Sequence, residues 1–249
     1  MLAIWILLFI TGAAIGSFLN VCIYRLPAKQ SIVSPPSHCH RCNHRLGFWE
    51  LIPIFSYLFL QGRCKSCRVK ISTRYLMVEL ITGIAFVIFV MVFGFNLQSL
   101  SYILLFCALL TASLIDFDHR IIPDEINLFL ILTGLLLQGL QSFDALVSGI
   151  IGGLMGGGLL LVIAVLSRGG LGGGDIKLVT GIGVFLGWKL LLVSLFVSFI
   201  LGSLVGIAWV LFKNKGLKTA VPFGPFLSIG AIIAVFYGQQ IIATYLSYF

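Results

Sequence analysis

KLLLVSLFVSFILGSLVGIAWVLF, residues 189–212, is a run of 24 residues whose single charge stands at its first position. Wound as a helix at about 1.5 Å per residue, it is long enough to cross the ~30 Å hydrocarbon core of a bilayer. Several apolar runs of similar length lie elsewhere in the chain. Of the 249 residues, 59% are hydrophobic and 10% are charged, and the mean hydropathy is +1.12. A water-soluble globule does not have this composition, so the sequence predicts an all-α polytopic membrane protein.

Outward from that run, helices are expected over 2–22, 76–95, 98–117, 125–141, 144–167, 176–188, 189–212 and 224–246, about eight transmembrane spans. The segment 176–188 is short, about 20 Å if helical, and is expected to tilt, re-enter or break. The first ten residues resemble the apolar part of a signal peptide, with Gly12-Ala13-Ala14 as candidate cleavage residues. No basic residue precedes them, so they read as a retained first span. Glycines four apart at 149/153/157, 152/156 and 202/206 suit close helix packing and need no chemistry.

The formal net charge is +8, which in a soluble protein suggests nucleic acid. Here nine of the sixteen Lys and Arg lie between Arg25 and Arg74. The excess reads instead as a topology signal that puts loop 23–75 in the cytoplasm. Strict alternation then places Arg120, Arg168, Lys213, Lys215 and Lys218 on the same side and both termini outside. No nucleic-acid partner is expected.

Within that loop, Cys39-x-x-Cys42 and Cys64-x-x-Cys67 are separated by 21 residues. Two turns of this kind bring four thiolates into a tetrahedral site suited to structural Zn2+, like a small zinc ribbon. The cytoplasm is reducing, which argues against disulfides. The loop has few aliphatic residues outside 51–60, so a metal would supply folding energy its core lacks. His38, His40 and His44 read as solvated surface beside a full set of cysteines. The stretch FWELIPIFSYLFLQG, residues 48–62, turns strongly apolar and suits either the membrane interface or packing beneath the helices.

LIDFDHRIIPDEI, residues 114–126, ends the third span and begins the fourth. Ionisable groups at the edge of a span are costly, which makes them functional candidates. Asp118 reads as a solvated loop charge and Asp124 as a helix cap after Pro123. Asp116 lies deeper, with no basic neighbour at helical spacing before Arg120. GGLGGGDIKLVTG, residues 169–181, sets Asp175 at the matching depth. Gly172, Gly173 and Gly174 leave a gap beside it through which another chain can approach. Lys177 reads as a holder for an anionic substrate group or a side chain that snorkels to the interface. Asp116 and Asp175, 59 residues apart, would share one proton if they converge, leaving one acid and one base. Such a pair activates water against an amide carbonyl with no covalent intermediate. No HExxH helix or GxSxG elbow is present. The rival reading is a transporter or channel that relays protons or cations through the same aspartates.

GSFLNVCIYRLP from Gly16, the paired CxxC loop with Gly62-Arg63 before Cys64, IDFDHRIIPD, GGGDIK, and PFGPF from Pro222 together resemble the type IV prepilin peptidase family. The resemblance runs nearly the whole chain. It implies an aspartyl protease of the bacterial inner membrane, with Asp116 and Asp175 catalytic. Such an enzyme cuts the short basic leader of type IV prepilins and type II secretion pseudopilins after a Gly at the cytoplasmic face. It further implies methylation of the new amino terminus with S-adenosylmethionine, for which Glu50, Gly62 and Arg63 are the candidate residues. On this reading 1–22 is the first span, 23–75 the cytoplasmic cysteine loop and 76–249 the protease domain. The family often has RYPxxE, whereas here Leu76 follows Arg74-Tyr75.

Overall fold

The computed structural model describes residues 2–167, 170–213 and 222–248. Arg168 and the stretch 214–221, with Lys215 and Lys218 of the charge pattern, lie outside the described residues. The described residues form helices, with isolated bridges in place of strands. Two compact units result, Met1–Ser99 and Leu100–Phe249.

The first unit consists of α1 (Leu2–Arg25), a 3₁₀ turn (Phe48–Glu50), α2 (Phe55–Phe59) and α3 (Thr73–Phe93). Its α1 and α3 nearly touch backbone to backbone. A Cβ on Gly12 would stand 2.9 Å from the Gly83 Cα, and one on Gly16 2.8 Å from the Glu79 Cα. Small residues four apart thus set this contact, as in close membrane-helix pairs. α3, which the sequence groups with 76–249, packs on α1 within this unit.

The second unit carries α4 (Leu97–His119), α5 (Asp124–Gln141), α6 (Phe143–Leu166), α7 (Gly173–Lys213) and α8 (Gly224–Leu246). α7 packs against α5, α6 and α8. It breaks at Gly187, whose φ of 71° and ψ of 169° lie outside the helical region. A side chain there would also meet the Ser148 hydroxyl. The first arm, 173–186, is about 21 Å long, the short segment expected from sequence. The break deprives carbonyls before it of their helical donors, and buried Gln138 supplies one: its Nε2 donates to the oxygens of Val184 (3.2 Å) and Phe185 (2.9 Å). Gly149, Gly152, Gly153, Gly156 and Gly157 of α6 all abut α7. Gly202 packs beside the Phe223 ring, whereas a Cβ at Gly206 would meet nothing within 4 Å.

Among the described residues, six helices are long and apolar enough to cross a membrane: α1, α3, α4, α6, α7 as far as Ala208, and α8. The molecule is a multi-pass membrane protein. α5 is less apolar because it opens on Asp124 and Glu125 and buries Asn127 and Gln138. Asp124 differs from expectation: Pro123 occupies the cap position with no side-chain cap bond, and Asp124 is the first helical residue.

Candidate active site and four-thiol cluster

In the second unit the last turn of α4 carries Asp116, 6% exposed. Helix α8 begins at Gly224, and its amide donates to the Asp116 Oδ2 at 2.8 Å. The first amides of a helix have no partner inside it and present positive partial charge, so the carboxylate satisfies one of them. A Cβ at 224 would stand 2.8 Å from the same oxygen, so a side chain there would displace the carboxylate. Asp175 lies in the first turn of α7, where its amide donates to the Gly172 carbonyl at 3.1 Å.

The two aspartates line one cavity of about 380 Å3, with Arg120, Gly172, Phe199 and Phe223 among the other walls. Gly172 keeps room for the carboxylate, since a Cβ there would lie 3.2 Å from the Asp175 Oδ2. Gly174 packs instead on Ile122, and a Cβ on Gly173 would meet nothing within 4 Å. Lys177 points elsewhere: its Nζ donates to the Asp124 Oδ1 at 2.7 Å, with both side chains exposed. Gly224, Phe199 and Phe223 were missed as site residues. PFGPF was visible as a motif, but a main-chain donor leaves no side-chain signature.

In the first unit the four cysteines converge, with all sulfurs within 4.8 Å of one another. Cys39 and Cys67 lie 3.8 Å apart, and Cys42 and Cys64 3.9 Å. Zn–S bonds of about 2.3 Å at tetrahedral angles give S···S edges of about 3.8 Å, so the thiols fit that ion. The two turns are built alike. Cys39 N donates to His44 O and Asn43 N to Cys39 O, while Cys64 N donates to Val69 O and Arg68 N to Cys64 O. Asn43 and Arg68 both have positive φ, 53° and 57°. The amides of Cys42 and Arg41 draw the Cys39 thiol down to about 6. Cys67, despite the Val69 amide, is pushed up to about 11 by burial and the neighbouring thiols.

His44 is not merely surface: its Nε2 hydrogen-bonds the Glu50 Oε2 at 3.0 Å. The Gly47 amide donates to the same oxygen at 2.9 Å. The Gly47 amide first, and then His44, hold the Glu50 carboxyl below its ordinary range. Glu50 is thus a side chain with a fixed orientation. His38, His40 and Glu50 line a second cavity, of about 810 Å3, enclosed by α1, the loop and the start of α3. Buried Gly62 has φ +63° and stands against the Tyr57 ring, while Arg63 is exposed and bridges Lys70 through its main chain. In the 48–62 stretch, Phe48, Trp49 and Phe59 are largely exposed.

Comparison with known proteins matches residues 10–93 to the bacterial peptidase A24 N-terminal domain. Residues 103–207 match the type IV leader peptidase family. A prepilin leader peptidase/N-methyltransferase of Pseudomonas aeruginosa is 35% identical over 95% of this chain and 91% of its own. One from Bacillus subtilis is 36% identical over 96% and 97%, and one from Legionella pneumophila 32% over 98% and 96%. No solved structure matches the chain at a significant level.

Proposed function

The chain belongs to the type IV leader peptidase family, and from that premise we propose that it is an aspartyl endopeptidase of the bacterial inner membrane. It cuts the short basic leader of type IV prepilins and pseudopilins after a Gly at the cytoplasmic face and then methylates the new amino terminus. The observation that carries the proteolytic half is the pairing of Asp116 and Asp175 on one cavity, with a helix amino terminus bonded to one of them.

Asp116 is the base. Its Oδ2 accepts the Gly224 amide at the positive end of α8, which fixes the direction of the carboxylate. Asp175, at the rim, carries the proton. A water between them loses a proton to Asp116 and adds to the scissile carbonyl while Asp175 protonates the carbonyl oxygen. The departing amine then takes a proton back from the pair, and no acyl-enzyme forms. Gly172 leaves space for the glycine backbone of the cut site. Phe199 and Phe223, with ring centroids 5.6 Å apart, face the apolar segment that follows it. Lys177 acts through Asp124, tying the start of α5 to α7.

The first unit carries the second half. Cys39, Cys42, Cys64 and Cys67 hold a structural Zn2+, which cross-links a loop poor in core residues. Glu50, Gly62 and Arg63 belong to the methyl-transfer region. S-adenosylmethionine, when bound, supplies a methyl group on a sulfonium. Glu50, fixed by Gly47 and His44, offers a carboxylate of set direction.

The test is cleavage of a purified prepilin by the protein in a bilayer, with the scission site read from product masses. Asp116→Asn or Asp175→Asn should lower cleavage at least about a hundredfold while helical content and zinc stoichiometry stay unchanged. Cleavage near the unaltered rate in either variant would overturn the assignment.

A further inference from the structure

Between α1 and α3, residues 26–72 carry seven Lys and Arg against one acid, Glu50, whose side chain is only 9% exposed. Within this cationic loop lies an apolar stretch that its own unit does not cover. Phe48, Trp49, Leu51, Phe55, Leu58 and Phe59 are all exposed, Trp49 at 77% and Phe59 at 83%. Phe55, Leu58 and Phe59 recur at i, i+3 and i+4, so they share one face of α2. Tyr57, off that face, is tied to the loop: its hydroxyl donates to the Ile71 carbonyl at 3.3 Å, and its ring stands against Gly62. The rings of Phe48 and Trp49 meet edge to face with centroids 5.6 Å apart. Six large apolar side chains within twelve residues are a poor surface to leave in water.

The depth of this stretch is set by one hydrogen bond. Helix α3 has 21 residues, so at about 1.5 Å each it matches the ~30 Å hydrocarbon core, with Arg74 in its first turn at the polar boundary. Glu79 lies five residues further on, about 8 Å deeper. Its Oε2 accepts the Ile54 amide at 2.8 Å. Ile54 is the residue from which α2 starts, and it stands at a φ of 66°, where β-branched residues are rare. Helical side chains lean toward the helix amino end, so the bond holds Ile54 between the level of Glu79 and the boundary. The start of α2 therefore lies beside the first turns of α3, where Met77 and Ile81, one turn apart, are exposed as well. Helices lying in a membrane plane bury their apolar face about 5–10 Å into the boundary between head groups and acyl chains. Aromatic rings concentrate at that level.

We propose that residues 48–59 are an in-plane membrane anchor, with Phe48, Trp49, Phe55 and Phe59 inserted among the upper acyl chains of the inner leaflet. Arg63, Lys65, Arg68 and Lys70, all exposed on and beside the second thiol turn, stay at the head-group level, where anionic lipid attracts them. Lipid is the occupant of the apolar face because the depth coincides with the hydrocarbon boundary and the surrounding charge complements a phospholipid surface. The cysteine loop is thereby held to the bilayer at a third point, besides the ends of α1 and α3.

The experiment uses full-length protein in nanodiscs of phosphatidylcholine and phosphatidylglycerol. The emission of Trp49 is isolated as the difference between the unaltered protein and Trp49→Tyr. Lipids brominated near the top of the acyl chain should quench it at least about twofold, and lipids brominated near the chain end, or aqueous iodide, should quench it less. In a second protein, p-benzoylphenylalanine replaces Phe59 and is irradiated in the presence of tritiated lipid and added prepilin. A lipid adduct at residue 59 is expected. Quenching of Trp49 by iodide with neither brominated lipid effective would overturn the anchor. So would an adduct at 59 with a second copy of the chain or with prepilin, or the absence of a lipid adduct there. Each probe leaves the other position unaltered, so misfolding of one variant leaves the second readout standing.

Discussion

Cys39, Cys42, Cys64 and Cys67 sit on a loop with little core, whereas Asp116 and Asp175 ride on helices packed into a bundle. The thiols meet because two short turns repeat one backbone pattern, and their spacing fits a tetrahedral ion such as Zn2+. Asp116 is fixed by the Gly224 amide, and Asp175 by a turn whose glycine leaves its carboxylate room. With the proposed Zn2+ in place, one site depends on a bound cross-link and the other on helix ends, so the two should fail under different insults.

The largest effect expected is on proteolysis. Asp116→Asn and Asp175→Asn should each lower kcat for prepilin cleavage about 10²- to 10⁴-fold, and the double variant should be no worse than either single one, because the pair acts as a unit. Additive losses would break the pair into independent residues. Next, Gly224→Ala drives a methyl into the Asp116 carboxylate and should cost about a hundredfold in kcat, with helical content unchanged. Full activity in that variant would show that α8 does not position the base.

The other half of the contrast is tested with Cys39→Ser. It should weaken zinc binding more than about tenfold and lower methyl transfer more than cleavage. Amide exchange should rise across 37–71 while α4 to α8 keep their protection. Equal loss of both activities at unchanged protein abundance would contradict the division. The smallest effect is a pH dependence of the Gly47–Glu50 turn. A carboxyl held below its ordinary value of 4.5 contributes stability that is complete above that value and fades as the pH falls through the lower folded one. Gly47 exchange, corrected for intrinsic rate, should therefore rise on acidification from about pH 6 to about pH 3, and Glu50→Gln should flatten the change.

Much of this was legible in the sequence because it was written in side chains at short range. Apolar runs marked the helices, paired CxxC turns marked the thiol cluster, and depth within a span singled out Asp116 and Asp175. The weak segment before Trp188 followed from its length, and the break came at Gly187. Other contacts lay beyond local pattern. The Gly224 donor is a main-chain amide 108 residues from its acceptor. The Lys177–Asp124 pair joins separate helices, which changed Asp124 from an expected cap into an ion-pair partner. Gly12 and Gly16 carry the same four-residue spacing as the α6 glycines and were overlooked beside the more conspicuous GGxxGGG. The Ile54–Glu79 bond that sets the depth of α2 joins the loop to a helix residue 25 positions on, which no single stretch discloses.

One consequence of the Gly224 bond concerns biogenesis. Asp116 receives its partner from the first residue of the last helix, so a nascent chain halted before residue 224 holds both acids but lacks the amide that orients one of them. With Asp116 as the proposed base, peptidase chemistry would wait until the carboxy-terminal segment has been threaded into the bilayer, and a half-inserted molecule would have no competent scissors to turn on its neighbours.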